Sequence, residues 1–210
     1  MLGAGNVGGT LGTAWARHGH EVFFGVRNPD SPDVHELLQR VGPRGRAESV
    51  TDAVRSAEAV VNALPWPATR GVLEKLDLAG KILLDCTNPL KPDLSGLEVG
   101  TTTSGGELVA GWAKGARVIK IFNTTGFGNM ENPSYGGKPI TMLYCGDNAE
   151  AKHTAAGLAR DIGFDPLDAG PLANARLLEP YAMLWIWLAI KGGAGSDFAF
   201  KLVKRSSQRD

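Results

Sequence analysis

The sequence predicts an α/β protein of the doubly wound Rossmann type. Three observations carry that prediction. Short apolar runs of strand length alternate with helix-like stretches along most of the chain. The runs are apolar throughout, as parallel strands covered on both faces require. The chain also opens on MLGAGNVGGTLG, whose Gly3-x-Gly5-x-x-Gly8 spacing is that of a strand turning into a helix.

In that first unit Gly3 suits the tight turn. Gly5 lets the backbone approach a pyrophosphate, and Gly8 lets the helix pack close to the sheet. Val7, Leu11, Ala14 and Trp15 share one helical face, and Gly19 is placed to end the helix. Glu21–Val26 is β-branched and aromatic, hence a strand. Ser31–Val41 has a serine cap and a proline at the first helical position, with Val34, Leu37, Leu38 and Val41 on one face. Ala59–Leu64 is a strand, Pro67–Leu76 a helix, Lys81–Cys86 a strand, Gly105–Ala113 a helix and Arg117–Phe122 a strand.

The last third changes character. Ile140–Cys145 reads as a strand, Ala149–Ile162 as an amphipathic helix and Asp165–Leu167 as a short strand. Pro171–Lys191 reads as a long apolar helix interrupted by Pro180. Gly136-Gly137 offers a seam. Residues 1–135 are therefore expected to form the dinucleotide-binding domain, and 136–210 a small C-terminal α/β subdomain packed on it. One element is short. In a sheet of order 3-2-1-4-5-6 the first strand is central, yet Met1 and Leu2 supply only its last residues. The first strand is largely absent from this sequence, and the expectation is a natural product beginning about five residues earlier with a β-branched run.

Bulk composition bounds the function. The 210 residues are 43% hydrophobic and 21% charged, as in ordinary soluble domains, and 22 basic residues balance 22 acidic ones. No global field points to nucleic acid or an anionic membrane. The most apolar window, Tyr181–Ile190, is half the length of a membrane span, and the start lacks a basic region followed by an apolar run. A cytoplasmic protein is expected. Cys86 and Cys145 lie in separate strand-like runs without metal-ligand spacing, as buried free thiols do.

A glycine turn alone is a weak signal, because 28 glycines allow chance matches and a turn can be merely structural. The helix and strand that follow it are where a mononucleotide-binding unit needs them, so Gly3, Ala4, Gly5, Asn6, Val7 and Gly8 are read as the pyrophosphate site. The end of the next strand decides which dinucleotide. No acid stands there to hold a ribose 2′-hydroxyl; the chain reads Gly25-Val26-Arg27-Asn28. Arg27 can hold a 2′-phosphate in a fork, with Asn28 and Ser31 as further donors, which favours NADP; a solvated surface arginine is the plain alternative.

These residues resemble the coenzyme F420-dependent NADP oxidoreductases. GAGNVGGTLG at 3–12, GVRNP at 25–29, ALPWPA at 63–68, LLDCTNP at 83–89 and KIFNT at 120–124 carry the resemblance in order over nearly the whole chain. Related modules occur in the cytosolic part of six-transmembrane metalloreductases. The resemblance implies hydride transfer between NADP(H) and a deazaflavin (F420) or flavin-like co-substrate. It also implies that Ala63, Leu64, Pro65 and Trp66 lie along the nicotinamide side of the cofactor. Trp66 offers a flat surface to a heterocycle, and equally a packing face for the following helix. Asn88-Pro89 and Asn123 follow strands at their carboxyl ends, where ligands bind in open sheets, although Asn-Pro also makes turns on its own account.

No side chain stands out as a general acid or base, and no metal site is expected. His18, His20, His35 and His153 read as surface residues. Asp85 at a strand end reads as structural, and Lys120 in its apolar strand as catalytic or pointing to solvent or a partner at the sheet edge. Hydride transfer between two rings makes little demand for such a group, whereas an alcohol dehydrogenase needs one. The same pattern fits a reductase of another small acceptor (free flavin, ferric chelate, imine) or an NADP-binding sensor. The C-terminal stripe Leu177, Tyr181, Leu184, Trp185 and Leu188 could wall a second-ring pocket, or be core or the interface of a homodimer.

Overall fold

The computed structural model describes residues 1–205. Helix α1 (Asn6–Arg17) follows the glycine turn and leads into β1 (Val22–Gly25). Then come α2 (Pro32–Val41), β2 (Gly45–Glu48), α3 (Val50–Ser56), β3 (Ala59–Asn62), α4 (Trp66–Leu73) and β4 (Ile82–Asp85). After α5 (Gly105–Trp112) and β5 (Arg117–Lys120), a short α6 (Phe127–Glu131) precedes the hairpin β6 (Ser134–Tyr135) and β7 (Lys138–Pro139). β8 (Thr141–Gly146), α7 (Ala149–Asp161), β9 (Asp165–Asp168), a 3₁₀ turn at Leu172–Asn174 and α8 (Ala175–Ile190) complete the chain.

Met1 and Leu2 stand in the centre of the sheet. Leu2 bridges in parallel to Gly25 of β1 and to Asn62 of β3. Its N–H donates to the Val61 carbonyl, and the Ala63 N–H donates to its own carbonyl. Around this stub the sheet runs β2-β1-Leu2-β3-β4-β5-β8-β9, which is the doubly wound order with two strands added at one edge. Leu2 is fully buried, as a central position demands.

The sheet is mostly parallel rather than wholly so. β8 pairs antiparallel with β5, through Ile119↔Gly146 and Lys120↔Cys145. An antiparallel edge strand on a parallel sheet is common, and here the β6–β7 hairpin reverses the chain before β8 begins. Gly136 and Gly137, both at positive φ, make that hairpin's turn. The core lies on both faces. Leu11, Trp15, Phe24, Leu84, Ile119 and Ala155 fill one side. Leu73, Leu78, Leu83, Val109 and Val118 fill the other.

Several elements are not visible in the sequence pattern, among them the short hairpin strands β6 and β7 and the 3₁₀ turn at Leu172–Asn174. β2 is GRAE, an edge strand with no apolar run, and α3 and α6 are too short for a periodic face. Pro180 does not interrupt the last helix; α8 carries it at an exposed position. No helix among the described residues is long and apolar enough to cross a membrane.

Candidate functional site

The glycine turn has the geometry its spacing promises, with one change of role. Gly3 sits at φ +95°, and a Cβ there would stand 2.7 Å from the Ala63 carbonyl oxygen, so only glycine fits. A Cβ on Gly8 would collide with the Gly3 carbonyl oxygen, which makes Gly8 the residue that lets the helix lie on its own turn. The closest helix–sheet contact belongs instead to Gly12, whose Cβ would meet the Phe24 ring at 2.5 Å. Gly5 is different again. It is the exposed N-cap of α1, it offers no side-chain cap, and a Cβ on it would meet nothing within 4 Å. Open space therefore faces uncapped helix N–H groups, an arrangement that suits an anion. Asn6 opens the helix exposed, and Ala4 and Val7 pack half-buried on the core beneath it.

At the carboxyl end of β1, Arg27 and Asn28 are exposed. The Asn28 side-chain oxygen accepts from the Asp30 N–H at 3.2 Å, forming an Asx turn into α2. Ser31 caps α2 by position but makes no side-chain cap bond, so its hydroxyl is uncommitted. The guanidinium of Arg27 has no carboxylate partner among the described ion pairs. A bound 2′-phosphate would meet a free fork rather than one already spent.

The ends of β3, β4 and β5 bring the remaining residues to one rim of the sheet. Ala63 touches the glycine turn, and Leu64 and exposed Pro65 lead into α4. Trp66 packs against Trp112 with ring centroids 5.3 Å apart and donates its indole N–H to Glu98 at 2.9 Å, so packing holds this ring. Beyond β4, Asn88 reaches across to the turn after β5. Its Nδ2 donates to the Asn123 carbonyl at 2.8 Å, and the Asn123 Nδ2 donates to Asn88 Oδ1 at 3.1 Å. Pro89 is buried beside this pair. Phe122, just before Asn123, is a buried non-glycine residue at φ 61°, a costly backbone state of the kind that clusters at functional sites. The Asn123 Oδ1 atom is buried and has no partner among the described residues.

Beneath this rim lies a charge network that corrects the expectation for Lys120. Lys120 points neither to solvent nor to a partner; it is 0% exposed. Its ammonium donates to Asp85 Oδ2 at 2.9 Å and to the Thr87 carbonyl, and pairs with Glu179 Oε1 on α8 at 2.9 Å. Burial alone would lower the Lys120 pKa, but the two carboxylates outweigh it and hold the ammonium above its ordinary value. Asp85 Oδ1 accepts from Asn62 Nδ2, from the Thr87 hydroxyl and from the Thr87 N–H. Glu179 accepts from the backbone N–H groups of Gly105 and Gly106 at 2.8 and 2.9 Å, capping α5 from a distant helix.

Sequence reasoning missed Glu179, Asn62 and Thr87 in this network. The available signal was Glu179, the lone acid of a mostly apolar helix whose other charged residue is Arg176. Among the histidines, His20 does pair with a carboxylate, Asp161 at 3.0 Å, but as a surface contact between α1's end and α7's. No cluster able to hold a metal occurs among the described residues. The C-terminal stripe splits: Trp185 is buried against Gly126 and Phe198, whereas Leu177 and Leu184 face outward.

A Rossmann sheet, an open phosphate cradle and a free arginine at the next strand end define a dinucleotide-binding protein. Residues 1–89 match the family "NADP oxidoreductase coenzyme F420-dependent". A solved structure from Arthrobacter sp. FB24, whose name assigns it to F420-dependent NADP reduction, is 33% identical with a TM-score of 0.84, covering 97% of each chain. The F420-dependent NADP reductase of Methanothermobacter marburgensis is 29% identical over 90% of this chain and 90% of its own. The metalloreductase STEAP3 of Rattus norvegicus is 32% identical over 89% of this chain, which spans only 37% of that protein. The chain belongs to the coenzyme F420-dependent NADP oxidoreductase family, and NADP is its dinucleotide.

Proposed function

We propose that the protein moves hydride between NADP(H) and a deazaflavin of the F420 type. The observation that carries the reading is the open cradle over Gly5 at the uncapped start of α1, with Arg27 free at the end of β1. The glycine turn from Gly3 to Gly8 holds the diphosphate on backbone N–H groups. Arg27, Asn28 and Ser31 hold the 2′-phosphate and discriminate against NAD. Ala63, Leu64, Pro65, Asn88, Pro89 and Asn123 frame the nicotinamide half, with Trp66 stiffening the loop from behind. NADPH, when bound, would give a hydride from nicotinamide C4 to the oxidised deazaflavin, and in the reverse direction NADP⁺ would accept one from the reduced deazaflavin; the chain's residues align the rings and exclude water.

Asp85, Lys120 and Glu179 beneath that rim are buried and committed to one another, and the Glu98 carboxylate at the rim is engaged by the Trp66 indole N–H. This supports ring-to-ring transfer, in which no protein side chain moves a proton. The Methanothermobacter relative's name supports F420 as the hydride-exchanging co-substrate of NADP(H), while likeness to a metalloreductase keeps ferric chelates as the second reading. Outward-facing Leu177, Leu184, Trp187 and Ile190, each about half exposed or more, support a homodimer through α8; a cytoplasmic protein remains the expectation. Sedimentation of Leu184→Glu as a monomer beside a dimeric parent checks that assembly.

NADPH oxidation with F420, FMN or ferric citrate as sole acceptor tests the function. Turnover with F420 supports it. Turnover only with FMN or ferric citrate moves the protein to the second reading. Tight NADPH binding with no turnover makes it a sensor.

A further inference from the structure

We propose that Lys120 is a positioning residue for hydride transfer, acting through the Thr87 carbonyl on the turn that carries Asn88 and Pro89. The inference rests on the reading that this turn faces the nicotinamide. Three charges buried together are poor evidence of stability, since apolar replacements of equal volume are often as stable. What such a cluster does well is fix one arrangement among several. Here the directions are fully specified. An ammonium has three donors, and those of Lys120 are all spent, on Asp85, Glu179 and the Thr87 carbonyl.

Thr87 is held by every polar atom it owns. Its N–H and hydroxyl go to Asp85 Oδ1, and its carbonyl goes to Lys120. The next residue is Asn88, locked in two hydrogen bonds with Asn123. A continuous chain therefore runs from α8 through Glu179, Lys120 and Thr87 to the asparagine pair at the rim. Its far end is equally constrained, because a Cβ on Gly105 would stand 3.0 Å from Glu179 Oε1 and one on Gly106 3.0 Å from the Ala175 Cβ. The glycines let α8 and α5 approach until the carboxylate meets both backbone donors. Loosening this chain displaces the turn while leaving the glycine cradle and Arg27, on the other side of the sheet's centre, untouched. Small misplacements of a reacting ring cost rate steeply.

The test compares two ligands that differ only in the nicotinamide. NADP⁺ and 2′-phospho-ADP-ribose are titrated calorimetrically into the parent and Glu179→Gln, with melting temperature and kcat measured alongside. The affinity of 2′-phospho-ADP-ribose stays within about twofold, while the advantage of NADP⁺ over it shrinks about tenfold and kcat falls at least as far. An unchanged ligand ratio and kcat beside a lowered melting temperature would make the network merely structural and overturn the proposal. The double variant Asp85→Asn/Lys120→Met, which leaves no buried ammonium unpaired, repeats the comparison. Failure of both variants to fold assigns the network to folding and also overturns it. The ligand ratio needs no acceptor, so a parent that reduces nothing overturns the proposed reaction and leaves this inference to stand or fall by itself.

Discussion

Gly5 and Gly8 look alike in the motif and do opposite things. Above Gly5 there is empty space, and beside Gly8 there is the carbonyl oxygen of Gly3. Gly5→Ala is therefore expected to fold with an unchanged melting temperature and to bind NADPH at least about tenfold more weakly, because its methyl group enters the cradle. Gly8→Ala is expected to cost about 1–3 kcal/mol of stability, because a packed backbone must move. Thermal melts with NADPH titrations check the pair; equal behaviour of the two variants would mean the turn is structural only. In the proposed function Arg27 selects the dinucleotide. Arg27→Ala should weaken NADPH by about 10- to 100-fold, the worth of charge-assisted bonds to a phosphate, and leave NADH nearly unchanged. Equal weakening in a binding titration would remove Arg27 from the 2′-phosphate. The placement of the glycine turn before α1 and of Arg27 after β1 was legible in the sequence because backbone spacing and strand-end position are local facts. The Lys120 partners were not, since Asp85, Lys120 and Glu179 meet only through the fold.

At the scale of elements, the apolar strands and most helices could be read within a residue or two, whereas the helix expected over Pro67–Leu76 ends at Leu73 and that expected over Pro171–Lys191 begins as an α-helix only at Ala175. β4 was expected over Lys81–Cys86 and spans Ile82–Asp85; α7 was expected over Ala149–Ile162 and spans Ala149–Asp161. What could not be read were the elements held by tertiary contact alone. β2 exists because β1 offers it an edge, from Val22↔Gly45 to Gly25↔Glu48, and no pattern in GRAE announces it. α8 shows the reverse error, in which a local rule predicted a break that packing overrides. Pro180 lies inside the helix, where it removes one backbone donor. Buried Leu178, Ala182 and Trp185, together with the Glu179 pair, hold the helix regardless. Pro180 itself is exposed, so Pro180→Ala is expected to raise stability by about 1–3 kcal/mol in denaturant melts. A loss of stability would mean that the proline shapes the helix needed to bring Glu179 to Lys120.

Across the whole molecule, the pH dependence of stability follows from groups shifted in opposite senses. Lys120 is held above its ordinary 10.5 by Asp85 and Glu179, so its contribution is complete below that value and is lost as pH rises through the raised one. Glu107 is held below its ordinary 4.5 chiefly by hydrogen bonding from Arg176, so its contribution is complete above 4.5 and is lost as pH falls through the lowered value. Glu107 and Arg176 are partly exposed, which keeps the acid-side term small. Melting temperature is expected to rise from about pH 5 to about pH 8, because burial lowers the Met1 amine from 8.0 to about 5 and only the unfolded chain keeps that proton there. It is expected to fall above about pH 9 as the unfolded chain ionises the Cys86 and Cys145 thiols that burial keeps protonated, then further as Lys120 discharges. A steady decline starting below about pH 8 would mean that the buried triad is not ionised as described. The proposed function joins the glycine turn on one side of the sheet's central stub to the pinned asparagine rim on the other through one bound dinucleotide from which hydride is transferred. That claim is tested most directly by mixing the protein with NADPH deuterated at nicotinamide C4 and oxidised F420 in the absence of oxygen, then weighing the reduced deazaflavin by mass spectrometry. The account predicts one deuterium carried into reduced F420. Unreduced F420, or reduced F420 carrying only solvent hydrogen, would contradict it.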